Sequence, residues 1–203
     1  MRGSTVDHAE NRVKVSESTL ESRYLDIVLA DRRVARVQDQ PPAVTYVTPD
    51  GRIARHTFDY LVEKVDGKRI ACAVRPRSLV EKSGIEEILD LIRAQSLVGF
   101  ADRAVLITER EASRRLAHNA QEILRARQMR NQRDVDALAA IASGLRGEVR
   151  LFDLVQSSGL GARGRNAVVC LIDEGVLELV ARTRIGWGAM LRRTAPAQPA
   201  ADR

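Results

Sequence analysis

Cysteine and histidine are scarce in this 203-residue chain, with two of the first and three of the second. Cys72 and Cys170 lie far apart, each within an apolar run. That excludes a disulfide framework and predicts buried thiols in a reducing compartment. Three scattered histidines and two isolated cysteines assemble no zinc cluster. No run approaches the ~18 apolar residues that span a bilayer, and the opening MRGSTVDHAENRVKV has no apolar core of a secretory signal. A soluble, cytoplasmic protein without a membrane partner is expected. Lysine is also rare: 29 of the 33 basic residues are arginine. Against 27 acidic residues they give a net charge of +6 and a pI near 9.9. This balance favours a polyanionic partner, although arginine richness also follows from genome base composition.

What is present is a globular composition, 44% hydrophobic and 30% charged, long enough for one ordinary domain and a small second one. Residues 1–15 are polar and expected to be flexible, as is the Ala/Pro tail 194–203. In SESTLESRYLDIVLAD, Ser18 and Glu21 have the S-x-x-E spacing of a capping box, and Leu20, Tyr24, Ile27 and Val28 recur at helical spacing. AVTYVT, RIARHTFDYLVEKV and RIACAVRP, separated by PDG and DGK, read as a three-stranded antiparallel meander. A helix is expected in GIEEILDLIRAQSLVG, with Ile85, Ile88, Leu89 and Ile92 inward, and a parallel strand in RAVLIT. A further helix falls around NAQEILRARQM. The expectation is a mixed α/β domain over 16–130, a helical linker over 131–147, and a small domain over 148–193. That last stretch reads as helix (Leu151 to Gln156), the turn SSGLG, helix (Arg163 to Asp173), a Gly175 turn and a strand pair in VLELVARTRIGW. The order is that of a winged helix-turn-helix.

The chemistry concentrates in HTFDYLVEKVDGKRIACAVRP. An acid followed a strand and a turn later by E-x-K or Q-x-K is how a large group of metal-dependent nucleases builds its site. Here Asp59 and Arg75 hold the outer positions, and Ala73 stands in the middle. A three-residue loop, Asp66-Gly67-Lys68, with glycine at its left-handed position, pairs Val65 with Arg69, Asp59 with Arg75 and Leu61 with Ala73. It gathers the site on one face; a two-residue loop does not. Asp59 suits Mg²⁺, a hard cation that takes oxygen ligands, and bound metal activates water against a phosphodiester. Arg75 can stabilise phosphate charge but is a poor proton donor or acceptor near neutrality. Glu63 is on the face of Asp59 yet about 13 Å along the strand, too far to share one metal. Glu21 can reach Asp59 from a flanking helix, or serve only as the capping-box acid. The pair Asp59 and Arg75 also reads as a cross-strand ion pair without chemistry.

LESRYLDIVLADRRVARVQDQPPAVTY, then PDGRIARHTFDYLVEKVDGKRIACAVRP, a helix and DRAVLITER together resemble the N-terminal domain of TnsA-like transposon endonucleases, over residues 15 to 110. The resemblance implies a restriction-endonuclease-like mixed sheet flanked by helices, followed by a winged helix. It implies an Mg²⁺ (or Mn²⁺) site at Glu21, Asp59, position 73 and position 75, double-stranded DNA as partner, and a separate transposase. Gln40-Pro41 matches the family pattern; Ala73 and Arg75 depart from it, and the loss of an amide or carboxylate at 73 removes a metal ligand.

In the second domain, Ala167, Val168, Leu171 and Ile172 are expected inward. Arg163, Arg165 and Asn166 then face outward as base readers, with Arg182 and Arg184 on phosphates. Seven arginines (110, 114, 115, 125, 127, 130, 133) form a second basic stretch, either a solvated helix face or a backbone-contacting surface. The reading is a DNA-binding protein of the TnsA-like endonuclease family, a transposition subunit whose metal-dependent cleavage is impaired by Ala73 and Arg75. The alternatives are an inactive nuclease-fold assembly subunit and a winged-helix transcription regulator.

Overall fold

The structure is a computed structural model that describes residues 18–195 in full, together with the backbone of residues 3–7 and 12–16. The chain divides into two units, Met1–Ala120 and Gln121–Arg203. The N-terminal stretch expected to be flexible carries a hairpin, β1 (Gly3–Asp7) paired antiparallel with β2 (Arg12–Ser16). Most of the tail expected to be flexible, residues 196–203, lies outside the described residues.

Helix α1 (Thr19–Ala30) starts where the capping box places it. The Ser18 hydroxyl accepts the Glu21 N–H at 3.2 Å and donates to Glu21 Oε1 at 2.9 Å, which satisfies one of the helix's orphan amides. Five strands follow: β3 (Val34–Asp39), β4 (Val44–Val47), β5 (Ile53–His56), β6 (Tyr60–Lys64) and β7 (Arg69–Val74). Then come α2 (Arg77–Ser83), α3 (Ile85–Gln95), β8 (Arg103–Ile107) and α4 (Arg114–Gln128), within which the boundary between units falls. The main sheet has the order β3-β6-β7-β8, with β8 parallel to β7 as the crossover helix predicts and the other pairs antiparallel.

The expected three-stranded meander is corrected at two points. The stretch read as one long strand breaks at residues 57–59, where Phe58 turns inward and is 0% exposed. As a result β4 and β5 form a separate hairpin, and β6 pairs instead with β3. Strand β3, which falls where no element is expected from the sequence, is anchored at its start by Asp31. That carboxylate takes the Arg33 amide and guanidinium at 2.9–3.0 Å and Lys64 Nζ at 3.0 Å. Burial alone raises its pKa, but those cations and hydrogen bonds override burial and hold Asp31 well below the usual carboxylate range.

The sheet buries both faces. On one side Tyr60, Val62, Cys72 and Val74 pack with Leu20, Leu25 and Val28 of α1. On the other, Ala71, Ala73 and Ala104 lie among Ile85, Leu89 and Ile92 of α3 and Val44, Tyr46 and Phe58. The alternation in β7 follows from period-two geometry, and its alanines suit close approach of a helix to the sheet.

The second unit holds α5 (Gln132–Ser143), β9 (Glu148–Arg150), α6 (Leu151–Ser157), α7 (Ala162–Asp173), β10 (Leu177–Leu179) and β11 (Met190–Arg193). Its strands form an antiparallel sheet of order β10-β11-β9. The 131–147 stretch expected as a linker belongs to this unit. Val135, Leu138 and Ala142 of α5 are buried in one core with Leu151, Leu154, Val168 and Leu171, an apolar stripe no linker would leave in water. β11 begins beyond the expected strand pair, so residues 180–189 form a loop between β10 and β11.

Candidate functional site

Residues 57–59 lead into β6 and carry Asp59 to the end of the sheet beside the last residue of β7. The observed register pairs Glu63 with Arg69, Leu61 with Ala71 and Tyr60 with Cys72. It is two residues away from the expected one, so neither Asp59–Arg75 nor Leu61–Ala73 is a cross-strand pair. The loop does span three residues, but they are Val65, Asp66 and Gly67. Lys64 N–H donates to Lys68 O at 2.8 Å across it, and Gly67 takes the left-handed position with φ +83°. A shift of two preserves the face of every side chain, which is why Asp59 and Arg75 still meet.

Their meeting is close and asymmetric. Asp59 Oδ2 accepts the Val74 N–H at 2.7 Å and lies 3.4 Å from Arg75 NH1. The same guanidinium nitrogen donates to Val74 O at 2.6 Å. The backbone fixes the acid as well: Asp59 N–H donates to Cys72 O, and Asp59 O accepts from Gln40 N–H, both at 3.0 Å. Gln40 holds a positive φ of 42°, an uncommon backbone for a side-chain-bearing residue. Burial pushes the Asp59 carboxyl above its ordinary value; the Val74 amide and Arg75 oppose the shift, and the Glu21 carboxylate adds to it.

Glu21 is therefore within electrostatic reach of Asp59, and one of its oxygens is held by Ser18. Ala73 is 0% exposed in the α3-side core, so position 73 offers a methyl group to apolar neighbours rather than an oxygen to a site. Glu63 lies farther along β6, across from Arg69. A divalent cation at Asp59 would meet an oxygen that already holds an amide and a guanidinium, and Ala73 supplies no side-chain ligand. Among the described residues no group of three or more His, Cys, Asp or Glu is placed to hold a metal ion. Of the four expected positions only Asp59 and Glu21 offer side-chain oxygens; Mg²⁺ is held by one or two carboxylates and keeps several waters.

His56, which no sequence motif singles out, ends β5 close to this cluster. Its ring stands edge-on to Phe58 at 4.8 Å, and its Nε2 is buried without a hydrogen-bond partner among the described residues. Burial, and then the nearby Arg75 charge, push its pKa below the ordinary histidine value.

In the second unit the expected DNA contacts separate. Arg163 in the first turn of α7 keeps 69% of its side chain exposed and lies 3.8 Å from Asp134. Arg182 and Arg184 are exposed on the β10–β11 loop and pair with no acid among the described residues. Arg165 is half-buried, 2.5 Å from Glu122. Asn166 does not face outward: its amide donates to Ala126 O at 3.3 Å and Met129 O at 3.0 Å. The last carbonyls of α4 have no partner in their own helix, and an asparagine on the adjoining helix supplies one. Ala167, Val168 and Leu171 are buried as expected, and Ile172 is half-buried.

Of the seven arginines in the second basic stretch, Arg125 pairs with Glu122, Arg127 with Asp173 and Arg130 with Glu174. Arg127 and Arg130 tie the end of α4 to the end of α7, whereas Arg125 pairs within its own helix and stays largely exposed. Among the described residues no helix is long and apolar enough to cross a membrane. Compared with known proteins, the chain matches no protein-family model and no curated protein.

Proposed function

We propose that the protein is a DNA-binding subunit, similar to TnsA-like endonucleases in plan, that works beside a separate transposase and uses its first unit as a scaffold rather than to cut. In this reading the first unit has a restriction-endonuclease-like fold and the second is a winged helix. The observation that carries it is the second unit's order of helices, strands and loop, with Arg163 exposed in the first turn of α7 and Arg182 and Arg184 exposed on the β10–β11 loop. A helix in the major groove with a flanking loop on the backbone uses those positions. The start of α7 adds to this, because no side chain caps it and its amides suit a phosphate.

Cleavage is disfavoured by the chemistry at Asp59. An arginine and a backbone amide share its Oδ2, and position 73 is buried alanine. What remains is an ion pair that ties β7 to the residues entering β6.

The test has two parts. In fluorescence anisotropy with a labelled ~30-bp duplex, Arg163→Ala combined with Arg182→Ala and Arg184→Ala is expected to weaken binding at least tenfold, since each lost phosphate or base contact is worth about 1 kcal/mol or more. Unchanged affinity would sink the DNA-binding reading. In a supercoiled-plasmid assay with Mg²⁺ or Mn²⁺, no nicking above background is expected, with or without a transposase partner. Nicking that Asp59→Ala abolishes would restore the cleavage reading.

A further inference from the structure

The chain has seven aromatic residues: three Phe, three Tyr and one Trp. Five are buried or half-buried, and the two most exposed are neighbours. Phe152 and Trp187 are 44% and 46% exposed, with ring centroids 5.9 Å apart in a T-shaped contact. Backbone bonds set the pair, since Phe152 N–H donates to Trp187 O at 3.0 Å and Leu151 N–H to Ala189 O at 2.8 Å. The guanidinium of Arg165, from the first turn of α7, sits 5.8 Å from the centre of the indole. Gly186 and Gly188 flank Trp187, and a Cβ built on either meets nothing within 4 Å. The indole thus stands at the end of the β10–β11 loop about half exposed, with Phe152 beside it and the Arg165 guanidinium over its ring.

Two large rings left in water by a chain with few aromatics are not accounted for by the core. Their surroundings define what could cover them. Arg165, which also pairs with Glu122, is at the ring; Arg182 and Arg184 lie three to five residues before it on the same loop, and Asp153, the acid next to Phe152, is paired with Arg150 at 2.9 Å. A planar, electron-rich surface among arginines fits a nucleobase on a polyanionic backbone. Bases inside a duplex have both faces covered by their neighbours. Only an unpaired base, in a single-stranded tail or gap, offers a face to stack.

We infer that Trp187, supported by Phe152 and Arg165, is a stacking platform for an unpaired nucleotide adjoining duplex DNA, so that the second unit prefers tailed or gapped ends over blunt duplex. This inference rests on the DNA-binding reading above and specifies its ligand.

Trp187 is the only tryptophan in the chain, so its own fluorescence reports the contact. Titration with a duplex carrying a short oligothymidine tail is expected to quench that fluorescence; the same duplex with blunt ends is expected to bind with little quenching. Trp187→Ala should weaken binding of the tailed duplex about tenfold, the typical worth of one stacked base, and leave the blunt-duplex affinity unchanged. That unchanged affinity is also the control for folding. Trp187→Phe should restore most of the preference for the tail. Equal affinity for tailed and blunt DNA, or equal losses for both in Trp187→Ala, overturns the inference while leaving DNA binding standing. Absence of binding to any DNA overturns both. Self-association that Trp187→Ala abolishes, with no quenching by tailed DNA, overturns it in favour of a protein partner.

Discussion

At the Asp59 carboxylate one oxygen receives both a backbone amide and a guanidinium, in a position that is mostly buried. Removing it leaves the Val74 N–H without its acceptor and Arg75 without its counter-charge. Asp59→Ala is therefore expected to destabilise the protein by about 1–3 kcal/mol, and Asp59→Asn by less because an amide oxygen still accepts from Val74. Urea unfolding of the two variants checks this; equal stability of wild type and Asp59→Ala would show that the pair does no structural work. His56 adds a pH dependence. Its folded pKa lies below the unfolded value, so between the two the unfolded chain binds more protons. The neutral ring's contribution is complete above the unfolded pKa of about 6.5 and is lost as pH falls through that value toward the folded one. Melting curves from pH 7.5 to 5 should show wild type losing stability over this window, and His56→Leu losing measurably less. The same slope in both would place the titration elsewhere.

Among the elements, the contact of α6 with α7 depends on the absence of a side chain at Gly164. A Cβ there comes to 3.0 Å from Ser158 Oγ, 3.2 Å from Val155 Cγ1 and 3.3 Å from Leu160 Cβ. Gly164→Ala should lower stability by about 1–3 kcal/mol despite alanine's better helix propensity, because the packed side chains must shift. A raised melting temperature would mean that the helices separate freely. The sequence made some of this architecture readable and hid other parts for physical reasons. Ser18 and Glu21 marked the start of α1 because a cap is a local motif, and the apolar spacing of Ile85, Leu89 and Ile92 marked α3. The break at residues 57–59 carries no glycine or proline; it arises from Phe58 entering the core, which is a tertiary event. Asn166 is outward on a helical wheel because the carbonyls it serves belong to α4 and the residue just after it, 40 and 37 residues away. The site's face was readable through strand parity, whereas its pairing was not, since a shift of two leaves parity unchanged. Trp187 between two glycines was the available sign of the exposed aromatic pair.

On the scale of the whole molecule, each unit has a core of its own, and each core holds one cysteine. Cys72 is 0% exposed, with its Sγ 3.0 Å from the Tyr24 hydroxyl, and Cys170 is 1% exposed. Burial pushes the Cys72 thiol up to about 12 and raises Cys170 as well, so neither is a ready nucleophile in the native state. A thiol reagent at neutral pH should modify neither residue until the unit containing it opens. With Cys72→Ala and Cys170→Ala to separate the signals, labelling in mild denaturant is expected to give two distinct opening rates. Prompt modification of either thiol in native protein would contradict the packing described. The two solitary cysteines, excluded at the outset from disulfides and zinc, thereby become a pair of internal clocks, each timing the opening of a different half of the chain.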